Sequence, residues 1–202
     1  MNHSFKKYRQ LLFSFVVILA IVITSCNEPA PSASVVVRDD AYFLKLGDSL
    51  VMKTFDTLRN TLMRTVSMKG LPGAVQFCNT EAFALSNIYT SDSVSLKRVS
   101  ERFRNKANAP DETEKKVLAL FAQSKAEKKE LKSMLEKDAD GNTHFFKPIL
   151  VQSMCLNCHG DLQAQVKPEI LKAIQQFYPN DMAIGYKEGD LRGMWHLVFR
   201  QK

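Results

Sequence analysis

Apolar residues recur along the chain in three rhythms. The first is an unbroken run, residues 11–23 (LLFSFVVILAIVI), interrupted only by Ser14. Thirteen residues are short for a spanning helix and suit the hydrophobic core of a secretory signal. The second rhythm is helical. Val51, Phe55, Leu58, Leu62 and Val66 are spaced by 4, 3, 4 and 4, which is one face of a helix. Asp39 or Asp40 offers its N-cap, Gly70 its stop, and Gly47 leaves its beginning open. Pro72 then opens a second helix near 72–89, with Val75, Cys78, Ala82 and Leu85 on one side. Asp111 with Glu114 makes a variant capping box for a third helix, with Val117, Leu118, Leu120 and Phe121 inward. Pro168 opens a fourth, with Ile170, Leu171, Ile174 and Phe177 inward, ended by Pro179-Asn180-Asp181.

The third rhythm is the two-residue alternation of strands. Residues 94–100 alternate, and a turn at Asn108-Ala109-Pro110 follows. Residues 131–137 and 143–151 flank Asp138-Ala139-Asp140-Gly141-Asn142 as a hairpin, in which Pro148 calls for an edge or an early end. Asp138, Asp140 and Asn142 are also spaced like the start of a calcium loop, but Ile149 stands where the twelfth-position Glu would be, so turn chemistry is expected. Residues 185–193 form a glycine-bent turn. Residues 194–200 form a last strand with Trp195, Leu197 and Phe199 on one side and Met194, His196 and Val198 on the other. There are no internal repeats.

Composition adds bounds. A chain of 202 residues with 45% hydrophobic and 24% charged residues is an ordinary globular protein, large enough for one domain after processing. The formal net charge is +7, of which Lys6, Lys7 and Arg9 supply three, and no basic stripe with interleaved aromatics exists. Nucleic-acid binding is therefore not expected. Those three residues are instead the basic prelude of the signal, and Ile23-Thr24-Ser25-Cys26 after the apolar run has the form of a lipobox. The expectation is a signal peptide over 1–25, a lipidated Cys26, a Pro/Ser/Ala-rich tether over 26–38 and a folded domain over 39–202. Several acyl chains anchor a protein stably without a spanning helix. The domain is then exported, on the periplasmic or cell-surface side of a bacterial membrane.

The sharpest chemistry lies in Cys155-Leu156-Asn157-Cys158-His159. C-x-x-C-H is the spacing that attaches haem c: two thiols on one turn reach the two vinyl groups, and the next residue offers an imidazole to the iron. Two alternatives compete. A thioredoxin-like dithiol needs a βαβ setting and leaves His159 incidental. A Cys₃His zinc site would recruit Cys78, Cys155, Cys158 and His159, but adjacent residues seldom converge on one tetrahedral ion. Export favours the haem. With Cys26 given to lipid and Cys155 and Cys158 to thioethers, Cys78 is left unpaired. It lies on the apolar face of its helix, where both a core thiol and an axial ligand belong.

Several segments stand together in a recognisable order: A-V-Q-F-C at 74–78, an Arg/Ser strand, R-N-K-A-N-A-P-D at 104–111, P-I-L-V-Q-S-M-C-L-N-C-H-G at 148–160 and G-Y-K-E-G-D-L-R-G at 185–193. Across about 70–200 this resembles the PAS-like c-type haem sensor family first recognised in cyanobacteria. The resemblance implies an α+β fold, a PAS-like antiparallel sheet with flanking helices, here after a signal peptide and a long N-terminal helix. It also implies one covalent haem c whose iron is held by His159 and the thiolate of Cys78. Lys106 departs from the family pattern, where Pro is expected after Arg-Asn.

The function so implied is a redox or diatomic-gas sensor acting on a separate redox or signalling partner. Arg98, Arg104 and Arg192 are candidate contacts for haem propionates. The alternative is a monohaem electron carrier, whose sixth ligand would come from Met154, Met182, Met194, His144 or His196. No acid–base constellation points to an enzyme.

Overall fold

The computed structural model describes residues 38–201. The signal, the lipobox with Cys26, and nearly all of the tether lie outside the described residues. Among those described, no helix is long and apolar enough to cross a membrane.

The first element, α1 (Asp40–Thr80), begins where expected, with the Asp39 carboxylate accepting the Tyr42 amide at 2.8 Å. It is two helices in one. Gly70 has φ 68 and ψ 179, which no helix tolerates, and Pro72 follows. In a straight helix Leu58 and Phe77 would stand about 28 Å apart at 1.5 Å per residue. They share one apolar cluster with Leu62 and Ala82, so the second arm folds back along the first. The stop at Gly70 and the start at Pro72 were both legible. The second arm ends earlier than expected, at Thr80. Glu81 leaves helical geometry, a short α2 (Ala82–Ser86) follows, and the chain turns into the sheet.

The sheet has four antiparallel strands in the order β1-β4-β3-β2: β1 (Val94–Val99), β2 (Met134–Lys137), β3 (Thr143–Leu150) and β4 (Leu191–Phe199). Between them lie α3 (Glu112–Ala126), α4 (Leu156–His159) and α5 (Pro168–Phe177). The alternation along β4 sorts the two cores. Trp195, Leu197 and Phe199 join Leu96, Phe145 and Val51 under α1. Met194 joins Val99, Phe146, Val117, Leu118 and Phe121 under α3. The sheet is thus covered on both faces.

Two strand boundaries and the place of one strand differ from expectation. β2 begins only at Met134, paired with Phe146, and the Ser133 hydroxyl before it donates to the Asp48 carboxylate at 3.0 Å. β4 starts at Leu191, inside the expected glycine turn, because Leu191 pairs with Leu150 across an irregularity at Ile149/Leu150. β3 is an interior strand despite Pro148. β2 reaches only as far as Phe146, so the half of β3 holding Pro148 pairs with β4 alone and the missing amide costs no ladder bond on the open side.

Gly47 is buried inside α1, and a Cβ there would stand 2.5 Å from the Phe145 ring. A solvent-facing Gly→Ala in a helix gains about 1 kcal/mol. Here overpacking dominates: Gly47→Ala is expected to lose about 1–3 kcal/mol, read as a lowered urea midpoint at unchanged slope.

Candidate functional site

The C-x-x-C-H segment follows β3 directly. Gln152 is extended, 153–155 make one 3₁₀ turn, and α4 carries Leu156 to His159. This is the local helix expected from Gln152 onward. Cys155 and Cys158 are both half-buried free thiols that face different neighbours. Cys155 packs against Val151, Ala183 and Tyr186, and Cys158 against Val75, Val166 and Ile170.

The segment is fastened to residues 183–186. The Gly185 amide donates to the Gly160 carbonyl at 2.8 Å and the Tyr186 amide to the His159 carbonyl at 2.9 Å. His159 Nδ1 lies 2.7 Å from the Ala183 carbonyl oxygen. A carbonyl can only accept, so Nδ1 carries the proton and Nε2 holds a lone pair. No hydrogen bond ties Nε2 among the described residues. Burial, and then Arg104 and Arg192, hold the imidazole well below its ordinary pKa, so it is neutral at neutral pH. Tyr186 stands edge-on to the ring, with centroids 6.3 Å apart.

Arg104 organises this corner. Its guanidinium pairs with Asp181 at 2.9 Å, both side chains almost wholly buried, and donates to the Cys158 carbonyl at 2.5 Å and the Ala183 carbonyl at 3.3 Å. It therefore holds both the haem-motif turn and the carbonyl that sets the His159 tautomer. Asp181 in turn accepts the Ala183 amide at 2.8 Å. The polar loop that places Arg104 closes with a 3₁₀ turn over 106–108, capped by the Asn105 side chain, so Lys106 disturbs nothing there.

Cys78 lies on the second arm of α1, half-buried beside Phe77, Leu62 and Leu85. Burial pushes its thiol pKa up, while the charges of Arg98 and Arg104 pull it down. Cys78 in turn helps push up the Cys158 thiol, behind burial. Tyr178, at the end of α5, is pushed up to about 12 by burial and then by Cys78. Arg98 stacks over Trp195 at 5.5 Å, and its buried Nε has no hydrogen-bond partner among the described residues. Arg192 donates to the Ser100 hydroxyl at 2.8 Å and lies 5.3 Å from the Tyr186 ring.

The structure therefore brings Cys78, Cys158, His159, Arg98, Arg104 and Arg192 into one neighbourhood. It does not gather the zinc set: no group of three or more Cys, His, Asp or Glu among the described residues is placed to hold a metal ion. Nor is there a βαβ unit around the cysteines, as a thioredoxin-like dithiol would need. Met194 is fully buried under α3, and the ring nitrogens of His144 and His196 are engaged by each other, by Asp138 and by Glu114. The turn at 138–142 is held by Asp138 accepting the amides of Asp140 and Asn142, not arranged as a calcium loop. Sequence reasoning missed Asp181 as a partner of Arg104 and Ala183 as the His159 acceptor. The first pair is 77 residues apart and the second is a backbone contact, so neither leaves a local pattern.

A family model described as Tll0287-like matches residues 44–199. The crystal structure of the cyanobacterial haem protein Tll0287 aligns with a TM-score of 0.51 and 24% identity, covering 78% of this chain and 96% of that one. At that identity the likeness establishes the fold, which is PAS-like. No curated protein sequence matches the chain.

Proposed function

The chain belongs to the Tll0287-like family, and on that footing we propose that it is an exported, lipid-anchored haem c protein, joined through Cys155 and Cys158, that senses redox state or a diatomic gas. His159 and Cys78 are its iron ligands. The similar solved structure is of a haem protein, and C-x-x-C-H specifies the covalent form. The carrying observation is His159. Its Nδ1–H is spent on the Ala183 carbonyl, leaving Nε2 with a free lone pair on a neutral ring, which is the state a histidine needs to bind a metal. Cys78 supports it, as a thiol on which the charges of Arg98 and Arg104 act in favour of the thiolate. The unpartnered Nε of Arg98 also suits a site built for an anion such as a propionate.

Iron porphyrin supplies a one-electron couple and, where a ligand position is open, a place for a diatomic gas. The protein's part is to set which state holds. Cys78 is held toward the protonated thiol by burial, against the pull of Arg98 and Arg104 toward the thiolate. Its helix arm is jointed at Gly70, so a change of partner at Cys78 has an element to move. The role is binding and signalling through a separate protein, without catalytic turnover.

Matured with the haem c machinery, the chain is expected to keep its haem through denaturing electrophoresis and to give the pyridine haemochrome band of a two-thioether haem. The double variant Cys155→Ala, Cys158→Ala is expected to lose the covalent haem completely. A colourless wild-type protein overturns the proposal.

A further inference from the structure

On the α3 face of the sheet, a file of polar side chains runs through an otherwise apolar core. The Asp138 carboxylate meets His144 Nε2 at 3.1 Å, and His144 Nδ1 meets His196 Nε2 at 2.9 Å. His196 Nδ1 meets the Glu114 carboxylate at 2.6 Å. Lys97 donates to the same Glu114 oxygen at 2.8 Å, and the Asp111 amide to the other at 2.9 Å. The Asp111 carboxylate completes the charged surroundings, 3.6 Å from Lys97. Glu114 and His196 are buried, and Phe146 stacks on the His196 ring at 4.5 Å. The file joins the hairpin turn, β3, β4, α3 and β1.

The protons can be counted. An ionised carboxylate only accepts. Both carboxyls are ionised at neutral pH, since Glu114 and Asp138 are each held at about 2. His196 must then carry a proton on Nδ1 and His144 one on Nε2. Two neutral rings have no further proton, and the contact between them would set lone pair against lone pair at 2.9 Å.

We propose that His144 and His196 form a proton-binding site, holding three ring protons between them and one shared positive charge. Glu114 and Asp138 then each face a cation, Lys97 and the histidine pair, with the solvent-exposed Asp111 carboxylate beyond Lys97. Removing the shared proton to hydroxide leaves two facing lone pairs and one cation fewer beside buried Glu114. The proton is thus a clasp between β3 and β4, beside the buried Glu114 of α3, that alkaline conditions open. No part of this depends on the haem.

The test is long-range ¹H–¹⁵N correlation spectroscopy on the ¹⁵N-histidine-labelled full chain, which has only four histidines, with His144→Gln to assign the pair. At pH 7 the pair should show three ring N–H groups, the fourth nitrogen unprotonated. Alkaline titration should remove one proton and shift the Glu114 and Val117 amides together with it. In His144→Gln that proton loss should vanish. Two neutral rings at pH 7, or α3 amides that ignore the ring titration, overturn the proposal. The wild-type count alone decides it if the variant fails to fold.

Discussion

Cys78→Ala is expected to leave a folded, coloured protein whose spectrum and potential both change. In the proposed arrangement Cys155 and Cys158 carry the covalent attachment, so the haem should stay. The anionic sulfur is lost, and a thiolate favours ferric iron, so the reduction potential should rise by about a tenth of a volt or more, within a span of roughly 0.8 V that axial ligands command. The charge-transfer features of a sulfur-bound ferric haem should vanish as well. Carbon monoxide should bind the reduced variant without first displacing a protein ligand. The fold should tolerate the change, because Cys78 is only half-buried and replaced by another small apolar residue. In the wild type, reduction should open the site to carbon monoxide. A reduced low-spin form indifferent to the gas removes the sensor role. An unchanged spectrum and potential in the variant removes Cys78 as a ligand.

How far these roles were legible depends on the range of the interaction. The joint between the arms of α1 is written locally in Gly70 and Pro72, and the α3 start in Asp111 and Glu114, whose reciprocal bonds are both present at 2.9 Å. The two faces of β4 follow from period two alone. Gly47 was opaque because its reason is the Phe145 ring, far along the chain. Arg104 was read as a candidate for an outside anion, whereas most of its donors are turned inward to Asp181 and two carbonyls, which only the tertiary fold brings near. His144 and His196, more often surface or core residues than ligands, stand among the candidate sixth ligands because a histidine's partner cannot be read from its neighbours in sequence.

Glu114 is expected to be the most costly single position on the α3 face. Its side chain is fully buried, and it answers His196, Lys97 and the Asp111 amide at once. Burial alone would push its carboxyl up; the hydrogen bonds from His196, Lys97 and the Asp111 amide reverse that and hold it at about 2. Glu114→Ala strands a lysine and a histidine pair in a place built for their counter-charge, and should cost about 3–5 kcal/mol. Glu114→Gln keeps the shape and part of the bonding, so its loss should be smaller. The acid limb of stability carries the same signature. A carboxyl whose folded pKa lies below its unfolded value contributes in full above the unfolded value, near 4.5, and loses that contribution as pH falls through about 2. Between those limits the wild type should lose about 3 kcal/mol through this group, at 1.36 kcal/mol per pKa unit. Urea midpoints of wild type and Glu114→Gln should therefore converge as pH falls from 5 toward 2. Parallel curves would show that the carboxylate's charge does not hold α3 to the sheet.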